Sequence, residues 1–501
     1  MSGRHSEPVR GLMATNRSQR FEGRFGRMFR SLRPAFDPDN DSLRPLFEQL
    51  GEAMSAGFDG PKDGNDDEES GIPSLYTYLG QFVDHDITFD PASSLQKQND
   101  PDALTDFRTP AFDLDNVYGR GPDDQPYMYD QAPNGDLLLL GTAIQGGDSN
   151  ATDLARSPNG RALIGDPRND ENAIVSQLQG LFQRFHNRFR MQHPELSFAD
   201  IQQQVRFHYQ YVVVNDFLRQ IVHSKVLGEL QTSGRWDQHK LQFFHWKNAP
   251  FMPVEFSVAA YRLGHSMIRP GYRLNDNVLL PIFPVPSENF NEGLTGFRPM
   301  NPAWGIDWGR FIDVDTRQND GDDGVKNKRL QFAYRIDTSL VNPLASLPPE
   351  VATNPSSLAA RNLERAWRLG LPSGQDVARA MGLQPLQDKD IVIGKAIEGG
   401  DPDKKVITDI AGGAFTGKCP LWTYILAEAM LNQEPVKLPV TENSTIQTPR
   451  LGPVGGTIVA EVFLGLLFGD PHSMLSVDPD WCPPSGRNYR LKDFVNFALG
   501  H

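Results

Sequence analysis

The run Leu79-Gly80-Gln81-Phe82-Val83-Asp84-His85-Asp86-Ile87-Thr88-Phe89-Asp90 sets one imidazole, one amide and three carboxylates among residues that belong in a core. Any fold that buries Phe82, Val83 and Ile87 must find partners for those polar groups too, because a buried charge without one is costly. The segment from Ser74 to about Asp86 is read as a helix. Gln81 and His85 then lie one turn apart on one face, with Asp84 and Asp86 to either side. Taken alone, the stretch also suits a histidine that bonds locally beside solvated aspartates.

With 501 residues, 39% of them hydrophobic and 30 of them Phe, the chain can bury one large core or form two to three ordinary domains. A net charge of −14 argues against nucleic acid as a general partner, since phosphate binding relies on clustered Lys and Arg. Two cysteines, Cys419 and Cys482, provide neither a disulfide framework nor a thiolate zinc site, and whether they pair is open. No apolar run has the length of a transmembrane segment, and the first residues lack the apolar core of a secretory signal. The expectation is a cytoplasmic protein or one exported by a non-classical route.

Residues 1–70 read as a basic arm and extended lead-in, and 71–501 as one catalytic domain. Arg17, Arg20, Arg24, Arg27, Arg30 and Arg33 alternate with Phe21, Phe25 and Phe29, which are expected to pack back onto the body. The run Asp66-Asp67-Glu68-Glu69 reads as solvated surface.

Further along, Thr109-Pro110-Ala111-Phe112-Asp113-Leu114-Asp115 places oxygen donors at every second residue. Such a loop suits a hard cation, calcium before magnesium, and equally suits a series of Asx-turns. The acidic stretch from Asp313 to Gly324 fails as a helix-loop-helix calcium site, with Gln318 where Gly is needed and Gly324 where Glu is needed.

Pro167 predicts a helix entry with Arg168 in or before its first turn, leading into a helical run through Arg184-Phe185-His186. Ser197 and Asp200 predict a capping box for a helix running to about Lys225. Phe256, Ala260, Leu263 and Met267 recur at helical spacing, predicting a helix over residues 255–268 that carries His265 near its end. Gly264 leaves room there for something flat, although a capping or core histidine fits as well. Later helices are expected over Ser357 to Arg368, Leu421 to Leu431, Gly456 to Phe468 and Leu491 to Leu499. Strand patterns are few, so the fold class is mainly α, a single large helical domain with little β-structure.

In this order, from about Leu79 to Gly469, these pieces resemble the animal-type haem peroxidases, the superfamily that also holds the cyclooxygenases. The resemblance implies haem b and calcium as cofactors, with His85 as the distal histidine, Gln81 lining the distal cavity and Arg168 as the catalytic arginine. It implies that Asp86, Thr109, Ala111 (through its carbonyl), Asp113 and Asp115 surround calcium, with Asp115 where animal members usually carry Ser. Asp84 and Glu171 match the carboxylates that form ester links to haem. Asn172 stands where one mammalian member has a sulfonium-forming methionine, so that third link is expected to be absent. His265 matches the proximal iron ligand, Asn362 the acceptor of its ring N–H, and Arg262 and Arg365 the arginines near the haem propionates and proximal side. The lack of a signal and of a long propeptide is closer to bacterial members than to animal ones.

The implied activity is reduction of hydrogen peroxide and oxidation of halides, thiocyanate or phenols through a ferryl intermediate. Histidine as a residue type titrates near neutrality and suits the proton shuttle, while an arginine offsets the charge that builds as the O–O bond breaks. One alternative is a fatty-acid dioxygenase or cyclooxygenase-like oxygenase. Cyclooxygenases carry a radical tyrosine three residues before the proximal histidine, where this chain has Arg262, with Tyr261 one place further off. Another is a non-catalytic, calcium-dependent binding or adhesion module, which would be expected to lose His85, Arg168 or His265; all three are present.

Overall fold

A computed structural model of the chain describes residues 23–60, 66–88, 105–106, 110–131, 135–148, 150–317, 328–349, 351–352, 354–441 and 443–501. Thr109, the basic residues before position 23 and most of the acidic stretch after Arg317 lie outside them. The described residues form one mainly helical body with small two- and three-stranded sheets at its edges. Its helices are α1 (Arg44–Ala53), α2 (Leu75–Ile87), α3 (Ala173–Gln192), α4 (Phe198–Val212), α5 (Leu358–Arg368), α6 (Leu421–Leu431), α7 (Pro453–Gly469) and α8 (Leu491–Leu499), with shorter turns between them.

α2 is buried on almost every side, Leu75, Leu79, Phe82, Val83 and Ile87 being fully enclosed. Its one glycine has a reason: a Cβ on Gly80 would stand 3.2 Å from the Phe217 ring. Phe82 stacks on Phe182 of α3 with centroids 4.2 Å apart, and Phe185, one turn further on, stacks on Phe494 of α8 at 4.0 Å. Phe463 of α7 meets Phe112, Phe217, Phe256 and Tyr261. A helix apolar all round, such as α7, belongs in the middle of a core, and its ring ties four segments together.

The capping box at Ser197 and Asp200 is present, with both bonds formed. α4 continues as a π-turn over Val213–Phe217 and a last turn over Leu218–Ile221, so the predicted helix to Lys225 is broken near Val222. The predicted helix over 255–268 is also broken. A turn at Val254–Ser257 is followed by a 3-10 segment over Ala260–His265, with Ala259 between them at φ −128°, ψ −74°. In a 3-10 turn residues three apart eclipse, so Arg262 and His265 share one side.

Part of the lead-in belongs to this core. Phe25 and Phe29 are buried, and Gly23–Gly26 pairs in parallel with Met252–Pro253. The amides of Met28 and Phe29 donate to the Glu255 carboxylate, both at 3.1 Å, which steadies the segment leading to His265. At its other end, buried Arg269 and Arg329 bind Glu69, in the strand before α2. Asp313 pairs with Lys492 at 2.9 Å and Asp315 with Arg317 at 2.5 Å. Cys419 and Cys482 are both free thiols. No helix among the described residues is long and apolar enough to cross a membrane.

Candidate functional site

α2 and the 3-10 segment border one cavity of about 770 Å³. Gln81, Asp84 and His85 reach it from α2, Glu171 and Asn172 from the turn before α3, and Tyr261, Arg262 and His265 from the 3-10 segment. The residues singled out around His85 and His265 therefore meet at a single space.

On the α2 side, His85 Nδ1 lies 2.7 Å from Asn169 Oδ1. The Asn169 amide nitrogen donates to Gln179 Oε1 at 2.9 Å, which leaves its oxygen for the imidazole. That oxygen only accepts, so Nδ1 carries a hydrogen, and in the neutral ring Nε2 is the acceptor nitrogen. Nε2 is 3.7 Å from Glu171 Oε1. Gln81 donates to Glu171 and accepts from Asn172 Nδ2 at 3.1 Å. Sequence reasoning missed Asn169 and Gln179. Asn169 stands beside Arg168, but nothing in periodicity or residue type distinguished it.

Arg168 comes to the same helix by a different route. It is not among the residues lining the cavity. Its Nη2 donates to Asp166 at 2.9 Å and to the carbonyl oxygens of His85 at 3.1 Å and Thr88 at 2.5 Å. The guanidinium thus clamps the C-terminal end of α2, where carbonyls lack helical partners. The buried Asp166 draws it there.

On the other side, burial and then the neighbouring Arg262 push the His265 imidazole down to about 3, so the ring is neutral at physiological pH. The Asn362 amide faces it, with Nδ2 2.8 Å from His265 Nδ1, while Asn362 Oδ1 accepts from Arg262 Nη1 at 2.9 Å. This reverses the expected orientation, in which Asn362 accepts from the ring. Arg262 can only donate and so claims the amide oxygen. Burial and the nearby Arg365 pull Arg262 down to about 10, against the pull of Asp84. Arg361 adds to that effect, so guanidinium groups gather about Arg262, although Arg365 does not itself line the cavity.

Haem needs a broad slot, a neutral imidazole and cations for its carboxylates. The cavity, His265 and Arg262 offer these, and a Cβ on Gly264 would meet no atom within 4 Å, so the space beside His265 is open. The residues present fit the group. Tyr261 also lines the cavity, but its hydroxyl donates to the Gly80 carbonyl at 3.1 Å.

Next to His85 along α2, Asp86 brings its carboxylate to those of Asp113 and Asp115, with ligand oxygens within 4.8 Å of one another. Burial, reinforced by Asp115, pushes the Asp113 carboxyl above the usual carboxylate range. Such a cluster offers hard oxygen ligands to a divalent cation. Ala111, the other expected ligand among the described residues, is buried in the same loop.

A family model for animal haem peroxidase matches residues 95–395, a span that takes in Arg168, Glu171, His265 and Asn362 but starts after His85. The Dual oxidase of Drosophila melanogaster is 27% identical over 237 residues. That match covers 46% of this chain and spans only 14% of the relative's length. Among solved structures, Peroxidase A from Dictyostelium discoideum superposes with a TM-score of 0.61 at 15% identity, over 96% of this chain and 94% of that one. The fatty acid alpha-dioxygenase of Oryza sativa gives 0.51 at 16% identity, over 93% and 78%. Its Arabidopsis thaliana counterpart gives 0.53 at 15%, over 96% and 76%. At such identities these likenesses concern the fold alone.

Proposed function

Because the chain belongs to the animal haem peroxidase family, we propose that it is a peroxidase that binds haem between His85 and His265 and uses hydrogen peroxide to oxidise small donors. The observation that carries this reading is that one cavity is lined both by His85, with Nε2 as its acceptor nitrogen, and by the neutral His265. Bound haem supplies the iron at which peroxide is reduced and the store of oxidising equivalents that donors discharge.

The chain's own residues handle the proton. His85 Nε2 takes it from the near oxygen of peroxide and returns it to the leaving oxygen, while Asn169 keeps Nδ1 protonated throughout. Gln81, tied between Glu171 and Asn172, borders the space for that exchange. Arg168 was expected to offset charge in the cavity; the role its contacts support is to fix the end of α2 and with it His85. His265 would hold the iron through Nε2, Asn362 would orient its ring by accepting from Nδ1 with the amide in the opposite sense to that seen here, and Arg262 would serve as a cation for a haem carboxylate. Asp84 and Glu171 line the cavity where an ester to the haem edge can form.

The test is to load the protein with haem, add hydrogen peroxide and follow the Soret band. A shift that reverses with phenol, halide or thiocyanate is expected. Haem should then stay with the denatured chain after turnover, and unaltered attachment in both Asp84→Ala and Glu171→Ala would sink the ester proposal. A fatty-acid oxygenase is the second reading, favoured by the apolar residues around the cavity and by Tyr261. Oxygen uptake with a fatty acid, and no peroxide-driven donor oxidation, would establish it instead.

For Asp86, Asp113 and Asp115 we propose calcium, with Ala111 offering its carbonyl; Thr109 lies outside the described residues. A divalent ion offsets three carboxylates held together. Chelation is expected to lower stability by about 2.7 kcal/mol from a state with calcium at about a hundred times its dissociation constant. Calorimetry with and without chelator measures this, and an unmoved melting curve refutes it.

A further inference from the structure

We propose that the mouth of this cavity is a binding subsite for the hydrocarbon part of an uncharged phenolic donor, so that alkyl-substituted phenols are preferred over halides and thiocyanate. This rests on the peroxidase reading and specifies the substrate class of the same site.

A residue that both lines a cavity and is exposed marks its opening. Phe297 is 64% exposed and Val351 51% exposed, and both line this one. Ile282, Phe283, Leu294 and Leu347 line the same cavity. Large exposed apolar side chains around an opening point to an apolar ligand. Phe297 is also held in place. It sits at φ +56°, a region that a bulky side chain rarely occupies, and its amide donates to the Asp170 carbonyl at 2.6 Å. The amide of Gly296 bonds the Glu171 carbonyl at 2.9 Å. The backbone that carries the rim ring is thus fixed to the turn that supplies Glu171 to the interior.

Charge selects in the same direction. Of the lining residues only Arg262 is a permanent cation, and it lies beside His265, where the reading places the haem carboxylates. Asp84 and Glu171 repel anions when free and add no positive charge when esterified. Arg298, next to Phe297, is turned onto the Trp304 ring, with its Cζ 5.5 Å from the centroid, and does not line the cavity. The net charge of −14 adds long-range repulsion of anions. An uncharged phenol meets none of this. Two phenols each give one electron and one proton to one hydrogen peroxide, yielding two phenoxyl radicals and two waters.

The experiment measures kcat/KM for phenol and a series of 4-alkylphenols, with iodide and thiocyanate alongside, on haem-loaded protein with hydrogen peroxide. A rise of about fourfold per buried methylene is expected, carried mostly by KM, with the anions poorer than the longer phenols. Phe297→Ser and Val351→Ser should flatten the series while leaving unchanged the rate at which peroxide shifts the Soret band. A flat series, an unflattened one in both variants, or anions as the better donors would overturn the proposal while the peroxidase reading stands. A Soret band that peroxide does not move would overturn both.

Discussion

Replacing His265 by Ala is expected to abolish haem retention, with no Soret absorbance left after gel filtration of the loaded protein. The expectation follows from the surroundings of the ring. Its low proton affinity means that iron does not have to displace a proton from it at neutral pH. Its partner Asn362 sits on α5, anchored in the core through Leu363 and Trp367. An alanine there keeps the cavity and removes the ligand. The companion variant Asn362→Ala removes only the orienting amide and should weaken haem affinity by about 10- to 100-fold. Thermal melts of both apoproteins separate lost binding from lost folding. An unaltered haem spectrum in the His265 variant would refute the ligand assignment.

Replacing His85 by Ala should leave haem bound and slow its reaction with peroxide by about 10²- to 10⁴-fold, the usual share of a positioned acid-base group. Stopped-flow spectra of the Soret band measure this directly. The size rests on His85 being held by Asn169 with its other nitrogen left as the acceptor. A histidine serving only as a core residue would give a change in stability and none in that rate. Rates within a factor of about two of the wild type would exclude the proton-transfer role, because general acid-base catalysis accounts for far more.

Much of this arrangement was legible in the sequence because it depends on local periodicity. α2 begins one residue after the predicted start and ends one after the predicted end, and α5, α6 and α8 fall at or within one residue of their expected bounds. The segment bearing His265 was not legible in the same way. Phe256, Ala260, Leu263 and Met267 have helical spacing, yet tertiary contacts win: Phe256 and Tyr261 stack at 4.8 Å, and the chain tightens into a 3-10 turn. That turn eclipses Arg262 with His265, where an α-helix would only have set them near one another on one face. The direction of Arg168 was hidden for a related reason. A motif gives a residue's place in the chain, whereas its guanidinium follows the buried Asp166 and the open carbonyls at the end of α2.

His85 and Asp86 are consecutive on α2, one directed at the cavity and the other at the carboxylate cluster. α2 thus borders both the proposed haem cavity and the proposed calcium cluster, and any coupling it carries between the two ligands is reciprocal. Whatever factor calcium adds to the affinity for haem, haem must add to the affinity for calcium. A titration of either one, run with and without the other, reads the same coupling free energy.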